Sequence, residues 1–172
     1  MKTLLPIAVL LAVPAQAQDA RVFHSSTTWP VHVSAGTCTL TQATPDAGSA
    51  LSVSYDGSEV TLTSTNEVES TLPPAGTVPF SIVFLENRDG NTDYDDGWGS
   101  RDFTYDSRDK VYRFSTRFAG ERNARQILSD LASSKTIGLL QNGELVVSYE
   151  LAAIRPSVAR LRDCAAQTVA AN

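Results

Sequence analysis

Apolar residues alternate with serine and threonine through much of this chain, the period of two that marks strands covered on one face and wet on the other. Leu51, Val53 and Tyr55 alternate with serines, Asp56-Gly57 follows, and Val60 and Leu62 then alternate with Thr61 and Thr63. This pattern predicts a β-hairpin with a tight turn. A second hairpin is predicted from Lys135–Leu140 and Leu145–Tyr149, joined around Asn142-Gly143, a dipeptide that readily takes the positive φ angles of a type I′ turn. Aromatic and β-branched residues at Trp29–Val33 and Thr37–Gln42 flank the short break Ser34-Ala35-Gly36 and predict a third. That register puts Cys38 and Leu40 on one face, and residues 18–28 before it read as a tether or a loose first strand.

Phe80–Leu85 is apolar at nearly every position and short, as a strand covered on both faces would be. Residues 72–79 before it carry Pro73, Pro74, Gly76 and Pro79 and are expected to form a loop. Residues 86–109 after it hold eight acids and three glycines and are expected to form a long acidic loop, with a strand returning over Val111–Thr116. Two stretches change period to that of a helix. In Glu121–Ser133, Ala124, Ile127, Leu128 and Leu131 share one stripe; in the segment opened by Pro156, Val158, Leu161, Cys164 and Ala165 do. The expected fold is α+β: a mostly antiparallel β-sandwich or curled sheet with two helices late in the chain.

The first 17 residues break with all of this. Lys2, the apolar run Leu4–Val13 and the small-x-small sequence Ala15-Gln16-Ala17 match an export signal, cleaved after Ala17. Residues 18–172 then suit one β-rich domain with a C-terminal helix. No cysteine follows the cleavage site to carry a lipid, and no later apolar run approaches the ~20 residues of a membrane span. A periplasmic or secreted protein is expected. In such a compartment the only two cysteines, Cys38 and Cys164, have one intramolecular pairing available, which would bring the two ends of the mature chain together. The net charge is −5, and loss of Lys2 with the signal makes it more negative, which disfavours nucleic acid as a partner.

Candidate chemistry is sparse. The acidic loop offers hard oxygen ligands, and with Gly90 at the glycine position of an EF-hand, Asn87, Asp89 and Asp93 fall at ligand positions and Asp96 at the last. Leu85 occupies the first ligand position, however, and the last is not glutamate, so the pattern is incomplete and a solvated loop is expected in place of a metal site. His24 and His32 form no metal-spaced pair, and no Gly-x-Ser-x-Gly elbow occurs. No cofactor is expected. Trp98, between Gly97 and Gly99, is the best candidate for an exposed partner-binding anchor, whereas Phe103 and Tyr112 are expected to cover the core.

Trp29 with Val31, the sequence Gly36-x-Cys38-x-Leu40, a β-rich middle, and a final Gly143-x-Leu145-x-Val147 strand leading to Leu161-x-x-Cys164 resemble the invasion-associated locus B family of exported α-proteobacterial proteins. The resemblance implies a small, non-catalytic envelope protein associated with host interaction or envelope stress. The leading expectation is therefore a non-enzymatic binding or accessory module with an envelope partner. Two alternatives stand beside it. One is a carboxylate- or metal-dependent hydrolase that gathers the acids of residues 86–109 in a cleft, and the other is a calcium-stabilised structural module.

Overall fold

The computed structural model describes residues 20–42, 48–67, 73–87, 98–108 and 111–170; the predicted export segment lies outside them. The strands are β1 (Arg21–His24), β2 (Val31–Ser34), β3 (Thr37–Thr41), β4 (Ser49–Tyr55), β5 (Val60–Glu67), β6 (Ala75–Asn87), β7 (Ser100–Arg108), β8 (Val111–Phe118), β9 (Ser134–Gln141) and β10 (Glu144–Glu150). Helix α1 (Glu121–Ser133) precedes β9, and helix α2 (Ile154–Ala170) follows β10. The described strands make one ten-stranded sheet in the order β1-β2-β3-β4-β5-β8-β7-β6-β9-β10, antiparallel at every pairing. Mostly antiparallel sheet with two late helices is thus observed, and β1 and β10 do not pair to close it.

Turn chemistry sets the hairpins. Asn142 and Gly143 both take positive φ, 53° and 84°, in the predicted β9–β10 turn. Ala35 and Gly36 do the same between β2 and β3, at 47° and 80°. At Asp56, between β4 and β5, the carboxylate accepts from the backbone N–H of Ser58 and of Glu59, both at 2.8 Å, and from the Ser58 hydroxyl at 3.1 Å. Burial raises the Asp56 pKa and is the largest single influence, but these hydrogen bonds together outweigh it and hold the carboxyl below its usual value. A lowered folded pKa means that the contribution is complete above the unfolded value of about 3.9 and is lost as pH falls through the folded one. Asp56→Asn should therefore flatten the acid limb of a stability profile measured by urea denaturation below about pH 4.

Two expectations are corrected. The proline-rich stretch 72–79 is not all loop, because β6 begins at Ala75 and runs through Pro79. Over Ala75–Phe80 this strand pairs only with β7, and β9 joins from Ser81 onward, so the missing N–H of Pro79 falls where β6 has a single neighbour. The acidic stretch 86–109 is likewise not one loop, since Ser100–Arg108 is strand β7. Phe103 and Tyr105 point into the core there, while Asp102, Thr104 and Asp106 face out. Acids at every second position are what a strand wetted on one face would carry.

The inner face of the sheet is continuous across its length. Leu40, Val53, Leu62, Phe114, Phe103, Phe80, Ile82 and Leu139 supply it strand by strand. Rings of Phe80, Phe103 and Phe114 meet edge to face at 5.3 and 5.5 Å, where such pairs add to simple burial. Helix α1 packs Ala124, Ile127, Leu128 and Leu131 against the core. Helix α2 packs Val158, Leu161, Cys164 and Ala165 beside it, towards β3.

The sheet bends back on itself. Five strand spacings separate β5 from β10, about 24 Å in a flat sheet, yet the Ser64 and Tyr149 hydroxyls lie 2.5 Å apart. Trp29, fully buried, adds a second tie by donating its indole N–H to the Ala152 carbonyl at 2.9 Å, joining the start of the sheet to the β10–α2 connection. Both helices occupy the concave side, which leaves the convex side of β3 to β8 uncovered by either.

Candidate functional site

The predicted disulfide is present. Cys38 on the inner face of β3 and Cys164 on the packed stripe of α2 are bonded, with Cα atoms 6.1 Å apart across 126 residues of sequence, and both are buried. Thr168 lies over the bridge: its hydroxyl donates to the Cys164 carbonyl at 2.9 Å and sits 3.6 Å from the Cys38 sulfur. Enclosed in this way, the pair is a clamp between the last helix and the sheet, and among the described residues there is no free cysteine.

A buried polar cluster that the sequence did not announce lies on the concave side. The Tyr149 hydroxyl donates to Asn66 Oδ1 at 3.3 Å, and the Asn66 amide donates to Ser64 Oγ at 2.7 Å. With the tyrosine proton committed to Asn66, the Ser64 hydroxyl is left to donate to the Tyr149 oxygen. Each of the three groups then gives one hydrogen bond and takes one, a closed ring in which neighbours polarise one another. Burial raises the Tyr149 pKa, and the hydrogen bond accepted from Ser64 offsets this only in part. The raised value makes this contribution complete below the unfolded pKa of about 10 and lost as pH climbs through the folded one. Tyr149→Phe should leave Ser64 and Asn66 short of a partner and cost about 1–3 kcal/mol by urea denaturation at neutral pH. The same variant should lose the alkaline decline above about pH 10.

The convex side is built differently. Along β3, β4 and β5 the core takes one set of alternating positions and the other set is mostly hydroxyl-bearing, while on β8 the outward set places Ser115 between Arg113 and Arg117. Register places these hydroxyls side by side: Thr41 opposite Ser52, Ser52 opposite Thr63, Thr63 opposite Ser115, Ser115 opposite Thr104, and Thr104 opposite Thr77. The Thr63 and Ser115 hydroxyls are 3.0 Å apart, and in the adjoining row those of Thr39 and Ser54 are 2.9 Å apart.

This face deepens where β7 departs from β8. The ladder between them runs from Arg108–Val111 to Thr104–Ser115. Past that point side chains span the gap, Thr116 Oγ1 donating to the Asp102 carbonyl and Arg101 Nη2 to the Arg117 carbonyl, each at 3.0 Å. The resulting groove, about 710 Å³, is lined by Thr61, Thr104, Ser115, Arg101, Asp102 and Arg117 among others. Arg101 is held against aromatic faces, its guanidinium carbon 4.6 Å from the Phe118 ring centre and 5.8 Å from that of Trp98. Its Nε is buried and has no hydrogen-bond acceptor among the described residues.

Trp98, read from its glycine neighbours as a candidate for exposure, is half-buried. Its ring meets Phe118 edge to face at 4.7 Å, and its indole N–H donates to Asp130 of α1 at 2.9 Å. Phe103 and Tyr112 are buried, as expected. Of the calcium candidates, Asp89, Asp93 and Asp96 lie outside the described residues and Asn87 is the last residue of β6. Asp102 and Asp106, the acids of the stretch whose side chains are described, stand on one strand face about 13 Å of backbone apart, and Asp106 is opposite Arg113. They do not converge. Among the described residues no three of His, Cys, Asp and Glu are grouped closely enough to hold a metal ion, and no helix is long and apolar enough to cross a membrane. The spacing Ser107-x-x-Lys110, which can serve acyl transfer, places Ser107 at the end of β7 with its hydroxyl donated to the Pro74 carbonyl at 3.2 Å, and Lys110 lies outside the described residues.

Ser64, Asn66 and Tyr149 are the residues sequence reasoning missed, because a serine or asparagine in an alternating strand reads as wet until the register shows which face it takes. The Thr-x-Thr-x-Thr run at 61–65 was the legible trace of the convex face. Comparison with known proteins finds no family model, no curated protein and no solved structure that matches this chain.

Proposed function

We propose that this chain is an exported, non-catalytic binding module of a Gram-negative envelope, acting in the periplasm or outside the cell, with a role in host interaction or envelope stress. The observation that carries this reading is the division of the molecule by its sheet. Both helices, the disulfide and the Ser64–Asn66–Tyr149 ring lie on the concave side, while the convex side of β3 to β8 offers a polar surface with a groove. A buried disulfide that clamps the fold suits an oxidising compartment, where such bonds form and persist. The half-buried Trp98 backs the groove, its ring centre 5.8 Å from the guanidinium carbon of the groove residue Arg101.

A photo-crosslinking residue in place of Thr104 tests the reading in cells. It should trap an envelope component in the periplasmic or secreted fraction, whereas the same residue at the exposed position Arg160 of α2 should trap much less. Equal labelling from both positions, or recovery of the protein in the cytoplasm alone, would overturn it.

A further inference from the structure

We propose that the convex face binds an extended polysaccharide chain along its row of hydroxyls; this rests on the reading of the protein as a binding module and names its ligand. The row is Thr41, Ser52, Thr63, Ser115, Thr104 and Thr77, one residue from each of six successive strands in the sheet. All six lie opposite the core, and each is partly or fully exposed. Neighbouring strands are about 4.8 Å apart, so the row is a continuous polar track of about 24 Å measured along the curved sheet. A glycan in an extended conformation presents hydroxyls at a comparable repeat. Each serine or threonine hydroxyl has one proton and two lone pairs, so even where Thr63 and Ser115 bond to each other, capacity remains for a ligand hydroxyl.

The groove at the β7–β8 end supplies what a bare hydroxyl row lacks. Arg101 is a held planar donor, Arg117 is an exposed one ion-paired with Glu59 at 3.6 Å, and Asp102 is an acceptor, flanked by Thr61, Thr104 and Ser115. Guanidinium and carboxylate together bracket the donor and acceptor of adjacent sugar hydroxyls, and Arg101 is pre-positioned by Phe118 and Trp98, which lowers the ordering cost of binding. The mixed signs favour a neutral or weakly charged chain over a polyanion. The small side chains of the row also let a flat ligand approach the backbone, which long side chains would prevent.

The test is co-sedimentation of the mature, oxidised protein with three insoluble polysaccharides, chitin, cellulose and purified peptidoglycan sacculi. The comparison is a triple variant, Thr63→Val, Thr104→Val and Ser115→Ala. These changes keep strand propensity and size nearly constant while removing hydroxyls from the middle of the row. Thermal melting and near-ultraviolet dichroism establish that the variant is folded, and Arg101→Lys provides a second probe that leaves the row intact. The proposal expects the native protein to sediment with at least one polysaccharide and the triple variant to bind about tenfold more weakly or worse. Failure of the native protein to bind all three would overturn it, as would equal binding by native and triple-variant protein. A Thr104 crosslink to a protein, without polysaccharide binding, would sink the glycan ligand and leave the binding module standing.

Discussion

Replacing both Cys38 and Cys164 by alanine is expected to lower stability by roughly 4–5 kcal/mol. The bridge closes a span of 126 residues, and in the chain-entropy model a loop of that size removes about this much from the unfolded state. For a chain of this length the loss corresponds to a fall of about 10–20 °C in melting temperature. Both sulfurs are buried, so a reductant should act only after the structure opens. The measurement is a pair of thermal melts, native against double variant, with a third on the native protein freshly mixed with reductant. The third should begin near the native curve and approach the variant curve on long incubation. A double variant that melts within a few degrees of the native protein would mean that α2 is held by packing alone.

The second large effect is expected at Trp29. Its side chain is fully buried in the core and its indole N–H reaches the Ala152 carbonyl, 123 positions along the chain. Trp29→Ala should cost about 3–5 kcal/mol, combining lost burial with the cavity left behind. Trp29→Phe separates the two contributions. It retains most of the apolar contact but leaves the Ala152 carbonyl without its donor, and should cost about 1–3 kcal/mol. Both follow from urea denaturation of the oxidised protein, and a Phe variant as damaging as the Ala variant would place the main contribution in the hydrogen bond.

Much of the local structure was legible because the chain obeys simple periodicities. The Asn142-Gly143 hairpin, the Asp56-Gly57 hairpin and the helix over Glu121–Ser133 could be read from turn residues and the spacing of apolar positions. The meeting of Cys38 with Cys164 was legible for a different reason, since two cysteines allow one intramolecular pairing. Strands β6 and β7 were harder. Pro79 and the glycine and prolines around it mimic a loop, and only the staggered pairing of β6, with β7 along one half and β9 along the other, explains their tolerance. In β7 the aspartates drowned out the alternation of Phe103 and Tyr105.

What no local pattern could supply was registry between distant strands. Whether Thr63 stands beside Ser115, or Ser64 meets Tyr149, depends on β5 pairing with β8 and on the curl that returns β10 over the sheet. A one-residue slip in β5 would exchange the two sets, turning Thr63 inward and Ser64 out to solvent. The convex face and the buried ring are thus two products of one register, and the groove arises where β7 leaves β8.

The central claim is that this is an exported module whose fold is clamped by one internal disulfide. Its most direct test is mass spectrometry, intact and after non-reducing digestion, of the protein recovered from the expressing cell's envelope and medium. The account predicts a chain beginning at Gln18, with the peptides of Cys38 and Cys164 linked to each other and no free thiol. A chain that retains residues 1–17, or one in which both cysteines are free, would contradict it.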